Sequence, residues 1–109
     1  MFYLSFSEPF KKDVTSALDY IKNVLEAPMA SQNHFNEIKK TYIKLEENPY
    51  RRPLVQNKFL ALRGYRSINV KNYVIFYVID KENNTVILHR FLYSGRDWAN
   101  ILIGEFEED

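Results

Sequence analysis

Val86-Ile-Leu-His-Arg-Phe-Leu-Tyr93, followed at once by Ser94-Gly-Arg-Asp-Trp98, is the stretch from which the fold is read. Its first eight residues form an apolar strand pattern, yet that run carries His89, Arg90 and Tyr93. Strict alternation sets His89, Phe91 and Tyr93 on one face and Val86, Leu88, Arg90 and Leu92 on the other. Gly95 releases a turn, and Asp97 is placed to cap a short helix containing Trp98, Ile101 and Leu102. Immediately upstream, Tyr73-Val-Ile-Phe-Tyr-Val-Ile79 is apolar throughout, which predicts a central strand covered on both faces. Three successive strands follow from this spacing: Tyr65–Val70, Tyr73–Asp80 and Thr85–Tyr93. Their turns are Lys71-Asn72 and Lys81-Glu-Asn-Asn84, where asparagine suits a positive φ.

The N-terminal half supplies the rest of the domain. Phe2-Tyr-Leu-Ser-Phe6 alternates and reads as a first strand. Ser7 is a good helix cap ahead of Glu8 and Pro9, and Phe10, Val14, Ala17, Leu18, Ile21 and Leu25 recur at helical spacing. Ala27-Pro28 stops that helix. A second runs from about Met29 to Glu46 with Phe35, Ile38, Tyr42 and Leu45 on one face, and Asn48-Pro49 ends it. So short a connection predicts an antiparallel α-hairpin. Residues 49–64 are least regular: Pro49 and Pro53 break both patterns, Phe59, Leu60 and Leu62 pin the segment to the core, and Gly64 permits a turn. The expected class is α+β in the order β-α-α-β-β-β. An antiparallel sheet carries the hairpin on one face and a short C-terminal helix, all in one domain spanning 1–109.

Composition narrows the function. A chain of 109 residues rich in Tyr and Phe is a packed globule rather than a disordered one. It has no cysteine, hence neither disulfides nor a thiolate metal site, as expected of a cytoplasmic protein. Met1 to Phe6 is too short for a signal peptide, and no run approaches the roughly 20 residues that span a bilayer. Net charge is +1, but it is unevenly spread. Residues 51–71 contain Arg51, Arg52, Lys58, Arg63, Arg66 and Lys71 and no acid, while residues 72–109 sum to −4, mostly in the Glu105–Asp109 tail. A globally basic nucleic-acid binder is excluded; a local basic patch is not. No His/Asp/Glu spacing suits a metal and no glycine-rich phosphate loop exists, so no cofactor is expected.

The chain resembles the RelE/ParE superfamily of bacterial toxins over nearly its whole length. The resemblance rests on Gly64-Tyr-Arg66, Val70-Lys-Asn-Tyr-Val-Ile-Phe-Tyr77, Val86 to Tyr93 and Arg96-Asp97-Trp98, with Ser7-Glu-Pro9 before the α-hairpin and Asn48-Pro49 after it. It implies a toxin neutralised by a cognate antitoxin, in a toxin–antitoxin hetero-oligomer. It also implies one of two activities: ribosome-dependent cleavage of mRNA, or inhibition of DNA gyrase without catalysis. In the endonuclease branch, Arg66 with Lys71 and Arg96 occupy positions where basic residues are expected. Tyr73 is followed by Val74 rather than by an arginine, and the C-terminal tyrosine has no counterpart.

Metal-free RNA cleavage needs a base for the 2′-hydroxyl, cations for the charged phosphorane and an acid for the leaving oxygen. His89 suits the base or acid role; Arg66, Lys71 and Arg96 could hold phosphate; Tyr93 could stack on a base or donate a proton. The catalytic candidates are thus Arg66, His89, Tyr93 and Arg96, and the phosphate-binding candidates are Arg51, Arg52, Lys58, Arg63 and Lys71. These two groups are expected to form one anion-facing surface, and mRNA cleavage on the ribosome is the first expected activity, gyrase inhibition the alternative. Each residue also has an ordinary structural role open to it. His89 and Tyr93 could simply pack, and His89 and Tyr93 are roughly 13 Å apart along a regular strand. Arg90 could pair with a carboxylate from the helices, Arg96 with Asp97, and Trp98 could plug the core. His34 is expected at the surface.

Overall fold

The computed structural model describes residues 1–106, so of the acidic tail only Glu105 falls within it and positions 107–109 lie outside the described residues. The elements follow the expected order. Strand β1 (Tyr3–Phe6) leads into helix α1 (Glu8–Asp19), a π-helical turn (Tyr20–Val24) and helix α2 (Pro28–Glu47). A 3-10 turn (Pro49–Arg51) and helix α3 (Lys58–Ala61) precede strands β2 (Arg66–Val70), β3 (Tyr73–Asp80) and β4 (Thr85–Tyr93), and helix α4 (Trp98–Gly104) closes the order. Ser7 caps α1 through the Phe10 N–H at 3.1 Å, and Asp97 caps α4. Gly64 turns at φ 85°; in the first hairpin turn the positive φ falls on Lys71 rather than Asn72, and in the second on Asn84.

The sheet order is β1-β4-β3-β2. Strands β2, β3 and β4 form the expected antiparallel meander, and β1 adds in parallel along β4, from Tyr3 against Thr85 to Phe6 against Leu88. Helix α1 makes the return crossover that parallel pairing requires. Alternation along β3 divides its side chains between two cores. Ile75 and Tyr77 join Phe10, Ala17, Ile38 and Leu45 beneath the hairpin, whereas Val74 and Phe76 join Leu60, Tyr65 and Leu102 beneath α3 and α4. The central strand is therefore covered on both faces. Residues 49–64, legible only as a pinned irregular segment, supply α3 and half of that second layer.

Strand β4 departs from strict alternation. Tyr77 pairs with Leu88 but Phe76 pairs with Arg90, so His89 is an extra residue, a β-bulge. Val86 and Leu88 face the hairpin core, and beyond the bulge Phe91 faces it as well, three residues on rather than two. His89 and Arg90 both turn towards α4: the His89 ring lies 5.3 Å from that of Tyr65, and Arg90 reaches Glu105. The expected faces are corrected accordingly. His89 does not share a face with Phe91 and Tyr93, and Arg90 does not oppose His89.

The Tyr77 hydroxyl donates 2.7 Å to the Pro49 carbonyl, and burial pushes its phenol up to about 12. This bond ties the segment after α2 to the central strand. Tyr77→Phe should keep the fold but lower stability by about 1 kcal/mol, read as a reduced urea midpoint with unchanged slope.

Candidate functional site

The candidate side chains lie at the two ends of the sheet and on both of its faces. Arg66 opens β2 opposite Tyr77, and Lys71 lies just past the strand's other end, about 17 Å away by strand rise. Directly opposed residues share a face, so Arg66 lies on the hairpin side with Tyr77. Its guanidinium sits 5.3 Å from the Tyr50 ring centroid and donates to the Arg52 carbonyl. Arg52 in turn donates through Nε to the Ser67 carbonyl at 3.3 Å. The charges of Arg66, Arg52 and Arg51 all act on the Tyr77 phenol, opposing its desolvation, which places three guanidiniums around one end of the sheet.

Arg63 and Lys58 belong to the other layer. The Arg63 guanidinium stacks 3.5 Å from the Phe59 centroid and 5.1 Å from that of Phe106, and it donates to the Phe59 carbonyl at 2.9 Å. Lys58 is exposed at the start of α3. The single anion-facing surface expected from the sequence is thus not what the fold builds. Arg51, Arg52 and Arg66 cluster, Lys58 and Arg63 are on the opposite layer, and Lys71 is with Arg96 at the far end.

That far end holds a cleft of about 500 Å³ between the hairpin and the last strands. Tyr20, Ile21, Ala30, His34, Tyr73 and Tyr93 line it, and a second hollow sharing Tyr20, Tyr73 and Tyr93 continues to Arg96. Tyr73 stacks flat on Phe91 at 4.7 Å and meets Tyr93 edge-on at 5.8 Å. Burial raises the Tyr73 phenol above its usual range, with further contributions from Tyr20 and Tyr93. Gly95 lets the Tyr93 ring lie over the turn, since a Cβ there would come within 2.9 Å of the ring. His34, expected at the surface, instead bridges α2 to the β2–β3 turn. Its Nδ1 donates 2.8 Å to the Ala30 carbonyl and its Nε2 lies 3.2 Å from Asn72 Oδ1. The sequence reading missed His34, Tyr20 and Tyr50; the π-helical turn, which re-aims Tyr20, has no sequence signal.

Between the two ends, β4 carries the strongest polar contact. Past Phe6 the edge of β4 has no strand partner, and Asp13 of α1 covers it. Its carboxylate accepts from Arg90 Nε at 2.7 Å, from Arg90 Nη2 at 3.0 Å and from the Phe91 N–H at 3.0 Å. The opposite side of the guanidinium donates to Glu105 at 3.1 Å. The expected pairing of Arg90 with a helix carboxylate is thus present; Asp13, three residues after Phe10 on the apolar stripe of α1, was the signal for it. Arg96 and Asp97 form no ion pair among the described residues; Asp97 spends its carboxylate on capping α4 through Asn100. Trp98 packs 5.0 Å from Phe76, as a core plug does.

The four candidate catalytic groups do not converge. Arg66 is on the hairpin face at one end, His89 on the α4 face, and Tyr93 with Arg96 at the other end. Burial holds the His89 imidazole below its ordinary value despite the opposing charge of Glu105, so the fold favours the neutral ring. Among the described residues no cluster of His, Asp or Glu could hold a metal ion, and no helix is long and apolar enough to cross a membrane.

The model of the ParE toxin of type II toxin–antitoxin systems matches residues 4–98. The chain belongs to the ParE toxin family. None of the curated proteins matches the toxin at a significant level. Solved structures agree on the fold. A chain of the chromosomal ParDE system from P. aeruginosa is 14% identical with a TM-score of 0.67, covering 85% of the toxin and 96% of that chain. A chain of the RelBE2 toxin–antitoxin complex from Mycobacterium tuberculosis is 17% identical with a TM-score of 0.60, covering 84% and 96%. A chain of the E. coli RelBE toxin–antitoxin complex is 14% identical with a TM-score of 0.58, covering 88% and 100%.

Two predictions follow from the contacts of β4. The Asp13 and Arg90 side chains are only 16% and 18% exposed, so Asp13→Ala strands a guanidinium and a strand N–H together. It should destabilise the toxin by roughly 3 kcal/mol in urea unfolding. His89 carries a folded-state pKa depressed below its unfolded value of about 6.5, so the unfolded chain binds the proton first as pH falls. Stability should therefore decline as pH drops below about 6.5, and His89→Gln should remove that part of the slope.

Proposed function

We propose that this toxin arrests growth by binding DNA gyrase rather than by cutting RNA. One observation carries the reading: the groups needed around a single reacting phosphate lie on two faces and at two ends of the sheet. A base, an acid and phosphate-neutralising cations must all come within hydrogen-bond reach of one phosphate. His89 has only Arg90 beside it, and Asp13 and Glu105 already hold that guanidinium. The match to the ParE family model supports the same choice. The exposed Tyr93 and Arg96, beside the aromatic cleft, are the candidates for target contact.

We further propose that a cognate antitoxin neutralises the toxin in a hetero-oligomer. The neighbouring RelE-type toxins were solved as complexes with their antitoxins. Around the cleft, Tyr20, Val24, Leu25, Met29 and Tyr93 leave large apolar surfaces exposed, which an antitoxin segment that folds on binding could cover. The reading places the toxin in the cytoplasm with gyrase.

Purified toxin added to gyrase and relaxed plasmid should block supercoiling, while transcripts in a translating extract stay intact. Undiminished supercoiling together with cut transcripts on ribosomes would replace this reading with mRNA cleavage.

A further inference from the structure

The fold concentrates three guanidiniums at the Tyr50 end of the sheet, and neither the gyrase reading nor the packing uses them. Arg51 ends the 3-10 turn, Arg52 follows it, and Arg66 starts β2 alongside, bridged at residue level by the pairing of Leu54 with Arg66. Arg51 and Arg52 are exposed, and Arg66 is half-buried. Like charges so close repel one another, and carboxylates would ordinarily be found between them. Glu46 and Glu47 end α2 just upstream, yet among the described residues no carboxylate lies within ion-pair distance of any of the three. The cluster is nonetheless held in place. The Tyr50 ring and the Arg52 carbonyl hold Arg66, the Ser67 carbonyl holds Arg52, and Tyr77 fixes Pro49 at the root of the turn. These contacts use part of each fork and leave other N–H groups directed at solvent.

We infer that this arginine cluster is a phosphate-binding site through which the toxin itself grips the DNA backbone. Guanidinium is the side chain best matched to phosphate, which it meets with two parallel N–H donors. Neighbouring phosphates along one strand can engage neighbouring arginines, and the contact carries no sequence preference. The face of the Tyr50 ring is taken by Arg66 and its edge by Phe2 at 6.0 Å, so the ring serves to position Arg66. The site lies at the sheet end away from Tyr93 and Arg96, so a toxin seated on gyrase through the cleft end keeps this end free for the DNA that gyrase holds. The inference extends the gyrase reading but is measured without gyrase, so either can fail alone.

The test is fluorescence anisotropy of a labelled duplex oligonucleotide with purified toxin across a salt series. Wild type should bind at low salt, with log affinity falling linearly against log salt. Arg51→Gln combined with Arg52→Gln should make that slope shallower by about 2, one phosphate for each arginine removed. Lys12→Ala combined with Lys22→Ala removes the same charge from exposed positions in α1 and the π-helical turn and should leave the slope unchanged. Absence of binding at low salt, or equal loss in both double variants, overturns the inference. Displacement of the duplex by poly-glutamate at the same charge concentration overturns it too, and assigns the cluster to an acidic protein segment instead.

Discussion

The Asp13 carboxylate holds the architecture together where the sheet would otherwise be open. Strand β1 is only four residues long, and beyond Leu88 the edge of β4 runs on without a strand beside it. An uncovered edge exposes unpaired backbone groups, and burying them without partners is costly. Asp13 answers this with one side chain that accepts a backbone N–H and a guanidinium together. Because Arg90 also reaches Glu105, the same pair links α1, β4 and the end of α4. Two helical layers on opposite faces of the sheet are thereby joined around its edge.

The bulge at His89 is what makes that linkage possible. Without the extra residue, Arg90 would follow Leu88 onto the hairpin face, where its charge would meet Phe10, Ile38 and Leu45. With it, Arg90 leaves the apolar core, Phe91 enters it, and His89 is set against Tyr65. A buried neutral imidazole stacked on tyrosine is consistent with packing. This change of face also takes the most obvious acid–base residue away from the tyrosine and arginines it appeared to accompany.

Function is distributed over the remaining surface by the same geometry. One end of the sheet gathers aromatic rings around a cleft; the other gathers guanidiniums pinned by backbone carbonyls. The ends differ because the chain returns to them from different elements. The hairpin's π-helical turn brings Tyr20 against Tyr73 and Tyr93, while the segment after α2 delivers Arg51 and Arg52 to Arg66. A toxin that works by binding gains from such separation, since target and nucleic acid can be contacted at once.

Much of this was legible in the residues alone. The continuous apolar run 73–79 dictated a strand buried on two sides, the stripes from Phe10 and Ile38 dictated the hairpin, and Ser7, Gly64 and Asp97 marked their boundaries correctly. Those signals are local: they depend on period, capping and backbone freedom within a few residues. The phase of β4 was not legible, because a bulge depends on which residue of a neighbouring strand stands opposite. Nor was the division of the basic stretch, because six cations close in sequence are carried to different ends and layers by two turns and a short helix. Residue type and spacing determined which groups were available for chemistry; only the long-range pairing of strands decided which of them could meet.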